Sequence, residues 1–377
     1  MEDDEERLVG IFIGASVESS AQLPFKIIHR NGEEHSIISQ MHNLFVFPFA
    51  SGKSVLAEKI PNSKLSLSHT EPAIVGTITS DGSIVKSDLI NAANRVYCMD
   101  EAHRLNKKGM DAMLSLLESG YYNRSLGYAM KSPLSDGDYK KLGWSMETEE
   151  SLNSISLRVR FSCIGFCERV TASMQGAFLS RFAIFNVVLT DDDIFNLMRG
   201  EGILKAGNVK SKYKVYKKPV LFSCYDDFVD EYQKIVMDKQ LNLIFNPLEK
   251  GYLARIGSHL AKLSVYFARI EPKNKIKKVN EEIKVEKHHY RKALLFAPLL
   301  VRNLKEISLT PEMYKIYDLY FLRKLGQKEV SDLLGVSKSH ISQAVKFLKS
   351  QGFIELTKKQ DEEDKTILRE LKFNKKS

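Results

Sequence analysis

No apolar run in this chain approaches the roughly 18–20 residues that a membrane-spanning helix needs, so no membrane partner is expected. The opening Met1-Glu2-Asp3-Asp4-Glu5-Glu6 is acidic where a secretory signal would be basic, and the expected location is the cytoplasm. Cysteine is scarce, with four residues at 98, 163, 167 and 224. Cys163 and Cys167 fall in the probable strand Phe161-Ser162-Cys163-Ile164-Gly165-Phe166-Cys167, but the second pair that a zinc site would want is missing. Buried, reduced thiols are the expectation. Internal repeats and low-complexity tracts are also lacking. What remains is an ordinary globular composition, 43% hydrophobic and 27% charged over 377 residues. At about 100–200 residues per domain, that length holds two or three domains.

Charge is unevenly spread. Residues 1–200 carry 20 Lys+Arg against 25 Asp+Glu, residues 201–307 carry 22 against 12, and residues 308–377 carry 14 against 10. A mildly acidic half is therefore joined to a basic one, and a basic half suits a polyanionic partner such as DNA, at the nucleoid.

The first 205 residues read as alternating strands and helices. Leu44-Phe45-Val46-Phe47, Arg95-Val96-Tyr97-Cys98-Met99 and Val159-Arg160-Phe161-Ser162-Cys163-Ile164 are short and β-prone, like strands buried on both faces. Between them, Gly109 to Ser119 sets Met110, Met113, Leu114, Leu116 and Leu117 on one helical face. That alternation predicts a parallel α/β sheet. Residues 206–307 turn helical around Phe228 to Leu241, Leu253 to Ile270 and Tyr290 to Val301, with lysine-rich connectors at Lys210–Lys218 and Lys273–Lys287. Residues 308–377 form a third, small unit.

Phe47-Pro48-Phe49-Ala50-Ser51-Gly52-Lys53-Ser54 fits the phosphate-loop pattern G-x-x-x-x-G-K-[ST] at every fixed position but the first, where Phe47 replaces glycine. An apolar run precedes it and Val55-Leu56-Ala57-Glu58-Lys59-Ile60 follows, so the context is strand, loop, helix. In such a loop Gly52 lets the backbone approach phosphate, Lys53 reaches the β/γ-phosphates and the Ser54 hydroxyl binds Mg²⁺. Further on, Val96-Tyr97-Cys98-Met99-Asp100-Glu101 is an apolar strand ending in two carboxylates, with Asp100 47 residues after Lys53. Asp100 would hold Mg²⁺ and Glu101 would orient and polarise an attacking water. Phosphoryl transfer needs mainly positioned charge, and Lys53, Ser54, Asp100 and Glu101 supply it. ATP and Mg²⁺ are the expected cofactors.

Asp100-Glu101-Ala102-His103 spells the DEAH of superfamily-2 helicases. Those enzymes place a longer stretch between the two motifs and need a second motor domain. The compact spacing resembles the AAA+ class instead, in its MCM-like branch. Asp100 to Met113 is similar to the acidic strand and following helix of MCM helicases. Gly76-Thr77-Ile78-Thr79-Ser80-Asp81-Gly82-Ser83-Ile84-Val85 resembles the hairpin inserted before that strand, and Phe178-Leu179-Ser180-Arg181-Phe182 resembles the signature that carries the arginine finger. The resemblance, over about residues 43–300, implies an AAA+ core with an α-helical lid. It implies that Arg181 reaches a neighbour's γ-phosphate in a homo-oligomeric ring, a hexamer, and that Arg255 contributes a second sensing arginine. It places DNA contacts on channel hairpins, for which Lys140 and Lys141 in Asp138–Trp144 are the candidates. Two family features are missing. The end of the strand Arg160–Phe166 offers Cys167 and Glu168 where an Asn or Thr sensor is expected, and only about 40 residues precede the phosphate loop, too few for the large N-terminal domain of replicative MCM proteins.

At the C-terminal end, Thr310-Pro311-Glu312 opens a helix with a cap and a first-turn proline. Gln327 to Leu334, then Gly335-Val336-Ser337, then Lys338 to Ser350 is the helix-turn-helix pattern, with Val330, Leu333 and Leu334 expected against Ile341, Val345 and Leu348. Lys338, Ser339, His340, Gln343, Lys346 and Lys349 would face outward to phosphates or base edges. Gly352–Leu356 and Ile367–Phe373 alternate like two strands, which would complete a winged helix resembling MarR-like and MCM C-terminal units. The sequence thus predicts an α/β AAA+ ATPase with a helical lid and a C-terminal winged helix, acting as an ATP-dependent DNA helicase. An Orc-type initiator that binds DNA under ATP control, and a degenerate AAA+ scaffold, stand as the alternatives.

Overall fold

A computed structural model describes residues 3–47, 53–67, 69–78, 84–85, 87–125, 154–171, 174, 176–187, 215–238, 241, 250–271, 274, 280–307, 309–350 and 353. They fall into two compact units, one of Met1–Ser223 with Val265–Val285 and one of Cys224–Ser264 with Glu286–Ser377. Both take in parts of the helical stretch 206–307. Among the described residues, no helix is long and apolar enough to cross a membrane.

The first unit is mixed α/β. Its strands are β1 (Phe25–Ile28), β2 (Glu34–Ile37), β3 (Asn43–Val46), β4 (Ser63–Ser66), β5 (Thr77–Ile78), β6 (Ile84–Val85), β7 (Val96–Met99), β8 (Tyr121–Ser125), β9 (Ser154–Arg158), β10 (Ser162–Cys167), β11 (Ala183–Asn186) and β12 (Leu221–Phe222). Five of them make one parallel sheet in the order β11-β3-β10-β7-β4. β3, β7 and β10 are buried along their whole length. That burial is why their sequences are continuous apolar runs rather than alternating ones. β5 and β6 pair antiparallel, as expected for the hairpin, while its tip, residues 79–83, lies outside the described residues. A small sheet β12-β1-β2 and the antiparallel pair β8-β9 also belong to the unit.

The helix Lys107–Ser119 shows how local signals set its limits. The Asn106 side chain accepts a hydrogen bond from the Gly109 amide at 2.7 Å, which caps the start. Gly120, at φ 69°, ends it with its amide on the Leu116 carbonyl, and a Cβ there would lie 2.8 Å from the Val159 carbonyl oxygen. Met110, Met113, Leu116 and Leu117 are buried and Leu114 is half-buried, close to the predicted face.

Phe47, which stands at the first fixed position of the loop pattern, belongs to the core. Its amide bonds the Cys167 carbonyl at 2.8 Å, and its ring packs 6.2 Å from both Phe45 and Phe166. An aromatic side chain here extends the ladder between β3 and β10 by one residue and fills space that glycine would leave empty.

In the second unit, Tyr290–Val301, read as one helix, is two: Lys287–Leu294 and Ala297–Glu306. Pro298 has no amide hydrogen for the Leu294 carbonyl, so the first helix ends and a second begins with proline in its first turn. Further on, Thr310 caps Pro311–Tyr317 by accepting from the Met313 amide at 3.2 Å, and the chain continues through one wide π turn, Asp318–Leu322. The predicted helix pair forms as Gln327–Leu334 and Lys338–Ser350, with Gly335 between them at φ 66°. Val330, Ile341, Ala344, Val345 and Leu348 are its core, joined by Tyr317 and Phe353, whose ring centroids are 5.0 Å apart. Leu333 was expected in that core and is 65% exposed, because Val330 and Leu334 turn inward and leave it on the outer face. The two predicted wing strands lie outside the described residues.

Candidate functional site

Parallel pairing brings the C-terminal ends of β3, β10 and β7 to one rim of the sheet. Just past β3, Lys53 and Ser54 open the helix Lys53–Lys59. Asp100 and Glu101 follow β7, and Glu168 follows β10, which runs between the other two strands. Gly52, the remaining fixed position of the loop, lies outside the described residues.

Residues 46 apart in sequence meet here. The Ser54 hydroxyl donates to Asp100 Oδ2 at 2.7 Å. Asp100 is buried and held from several sides. Its Oδ1 accepts the Glu101 amide at 2.9 Å, its own amide bonds the Ser66 carbonyl at 3.1 Å, and its carbonyl lies 3.0 Å from His69 Nε2. A carbonyl only accepts, so that imidazole carries its proton on Nε2.

Glu101 sits in the left-handed region, φ 51° and ψ 45°, a conformation that costs a non-glycine residue about 1–2 kcal/mol. Its Oε1 is 3.3 Å from the Lys53 ammonium. Lys53 is 7% exposed and lies equally close, 3.3 Å, to Glu168 Oε1. These are ion pairs without hydrogen-bond alignment: among the described residues, nothing accepts a hydrogen bond from Nζ. A buried ammonium with three undirected donors is expensive unless a ligand completes it.

On the other side of Glu101, Oε2 lies 3.3 Å from His103 Nε2 and 3.7 Å from Arg104 Nε. Burial holds the His103 imidazole below its usual range against the opposing pull of Glu101 and Glu168. Burial also pushes the Cys167 thiol up to about 12, with nearby Lys53 working in the other direction. Cys98 is likewise pushed up to about 12 by burial and Cys163 well above its usual value, while Cys224 is half-buried. Protonated thiols of this kind are core side chains rather than nucleophiles or metal ligands.

Four of the predicted site residues, Lys53, Ser54, Asp100 and Glu101, therefore come together. Arg181 stands elsewhere. It precedes the N-terminal end of β11, on the opposite rim, and four strand residues at roughly 3.3 Å each separate the two rims. Its guanidinium is 13% exposed, donating to Glu118 Oε2 at 2.6 Å, to the Ser180 hydroxyl at 2.9 Å and to the Ala177 carbonyl at 3.2 Å. Arg255 belongs to the second unit, half-buried in the second turn of Gly251–Ile270. Lys140 and Lys141 lie outside the described residues. Lys338, Ser339, His340, Gln343, Lys346 and Lys349 are all exposed, as predicted, and His340 Nε2 lies 3.0 Å from Glu312 Oε1 on the helix Pro311–Tyr317.

Glu168 is the site residue that sequence reasoning missed. It was noted there as a missing sensor, whereas the fold sets it on the loop lysine. The available signal was a charged residue directly after a wholly apolar strand. No protein-family model matches the chain, and no curated protein matches it.

Proposed function

We propose that the chain is an AAA+ ATPase of MCM-like type that binds DNA and couples ATP turnover to its unwinding or remodelling. The reading rests chiefly on one observation: the buried, hydrogen-bond-deficient ammonium of Lys53 beside the Ser54–Asp100 pair. Motif spacing alone brought these residues to notice, and the sheet sets them within bonding distance.

The donor set suits the expected group. A serine hydroxyl and a carboxylate oxygen 2.7 Å apart are hard ligands of the kind Mg²⁺ takes, and Lys53 can direct its donors onto phosphate oxygens. Bound Mg²⁺-ATP supplies the phosphoanhydride bond. Ser54 and Asp100 would hold the metal, Lys53 the phosphates, and Glu101 would turn a water for attack and take its proton. The position of Arg181 on the far rim supports action on a neighbouring subunit's nucleotide rather than its own, hence a ring, with six members as the resemblance implies. In the second unit, the helix pair and its outward Lys338, Ser339, Gln343 and Lys346 support DNA contact, with a winged helix completed by the last strands.

The test is DNA-stimulated ATPase activity in the wild type and in Glu101→Gln. Turnover that DNA raises and Glu101→Gln removes supports the reading, and absence of turnover in the wild type refutes it. Replacing Lys53 by Ala should abolish nucleotide binding, while Arg181→Ala should spare binding and remove turnover.

One observation favours a second reading. Glu168 stands where the resemblance calls for a neutral sensor, and a poor sensor suits an initiator that binds DNA under ATP control without processive unwinding. Strand displacement on forked DNA separates the two, since the initiator leaves the fork intact.

A further inference from the structure

We infer that Glu168 determines specificity at the nucleotide site: it admits a nucleoside triphosphate as its divalent-metal chelate and turns away the free anion. The inference rests on the nucleotide reading above and adds to it the charge state of the ligand.

In a phosphate loop the lysine is the cation that attracts the β- and γ-phosphates, but here two carboxylates stand 3.3 Å from the Lys53 ammonium. Glu101 is accounted for by the chemistry assigned to it. Glu168 has no such duty, since it takes no part in the Ser54–Asp100 bond or in holding the Asp100 backbone. Its carboxylate is 31% exposed and free to swing away, and its one described ion pair is with Lys53.

The surrounding charges do not compensate. Around Lys53 the described acids are Asp100, Glu101 and Glu168, three against one ammonium. Arg104 approaches only Glu101, at 3.7 Å, and its side chain is mostly in solvent, where its field is screened. His103 is driven toward its neutral form by burial. A free triphosphate, itself a polyanion, would meet more carboxylates than ammonium groups among the described residues next to Lys53. A divalent cation held between Ser54, Asp100 and the phosphates cancels that excess, so metal and nucleotide must arrive together. With a neutral side chain at 168, Lys53 keeps part of its charge for phosphate and the metal becomes less necessary.

The experiment is a fluorescence titration of the full chain with N-methylanthraniloyl-ATP, in excess Mg²⁺ and in EDTA. It uses the wild type, Glu168→Gln, Glu168→Asn and Lys53→Ala, with circular dichroism melts to confirm folding. The wild type should bind about 100-fold more tightly with Mg²⁺ than in EDTA, the effect of a close like charge in a partly buried pocket. Both Glu168 variants should narrow that gap about tenfold, chiefly by gaining affinity in EDTA. An equal gap in wild type and both variants overturns the role of Glu168 while leaving the nucleotide site standing. Wild type that binds no better than Lys53→Ala in Mg²⁺ overturns the nucleotide reading itself, and this inference with it.

Discussion

The two rims of the parallel sheet are built on opposite principles. At the N-terminal rim, Asn43 Nδ2 donates to the Phe12 carbonyl and the Ser16 hydroxyl, at 2.8 and 2.7 Å. Ser16 donates to the Met41 carbonyl, Ser19 accepts the Met41 amide, and Ser19 and Ser162 share a hydrogen bond at 3.1 Å. The Cys163 amide donates to His42 Nδ1, which leaves the proton on Nε2 to bond the Leu117 carbonyl at 3.2 Å. These side chains are buried, uncharged and hydrogen-bonded to one another or to backbone, although Asn43 Oδ1 has no partner among the described residues and the charged Arg181–Glu118 pair stands on the same rim. At the C-terminal rim the side chains are charged, Lys53 Nζ, Glu101 Oε2 and His103 Nδ1 make no hydrogen bond among the described residues, and Glu101 holds a strained backbone. A largely satisfied neutral network rigidifies, whereas a charged one with an orphaned ammonium is completed by a ligand. The contrast lies within one sheet, between a neutral bonded rim and a charged one.

Mutations can break this contrast, and the largest effect should come at the charged rim. Glu101→Gln should lower ATP turnover by roughly 10²–10⁴-fold, the usual contribution of a positioned acid–base group. The same change should leave the melting temperature nearly unchanged, because the ion pairs of this carboxylate at 3.3–3.7 Å are not hydrogen-bonded and Gln keeps its shape. Steady-state kinetics beside a thermal melt checks both, and a large loss of stability would erase the distinction between rims.

Asn43→Ala should do the reverse. It removes two buried hydrogen bonds, at a cost of about 1–3 kcal/mol in denaturant unfolding. Nucleotide affinity measured below the transition should not change.

Gly165→Ala probes the strand between the rims. The added Cβ would meet Leu44 Cδ1 at 2.9 Å, so the Leu44 side chain must turn aside, for about 1 kcal/mol. Denaturant unfolding should show that small loss and nucleotide affinity should hold; an affinity that falls more than stability does would tie the core between the rims to the site.

The smallest expected effect is a pH slope. The folded imidazole of His103 titrates below its unfolded value of 6.5, so the unfolded chain binds the proton more readily. Its contribution is complete above about pH 6.5 and is lost as the pH falls toward the depressed folded value. His103→Gln should flatten that part of the stability profile, measured by denaturant midpoints from pH 7.5 downward.

Four residues of the charged rim could be read directly. Gly52-Lys53-Ser54 and Asp100-Glu101 each follow an apolar strand, and parallel pairing of buried strands brings such ends together. The helix pair at 327–350 was equally plain, since its cap, its glycine and its 3.6-residue spacing are local. Leu333 was misread because spacing alone cannot say which flank of an amphipathic helix meets its neighbour. The break at Leu295–Phe296 was missed although Pro298 marks it, because the apolar pattern runs on through the proline.

Local spacing was therefore sufficient for whatever depends on neighbours in the chain: strand and helix types, the loop lysine and serine, the paired acids, the outward face of the second helix. Tertiary structure alone decided that β10 lies between the two motif strands, that Glu168 thereby stands on Lys53, and that Arg181 is bonded to Glu118 on the far rim. The physical reason is range. Helical periods and caps act over a few residues, whereas strand order is set by which buried surfaces fit, and it joins side chains more than a hundred positions apart.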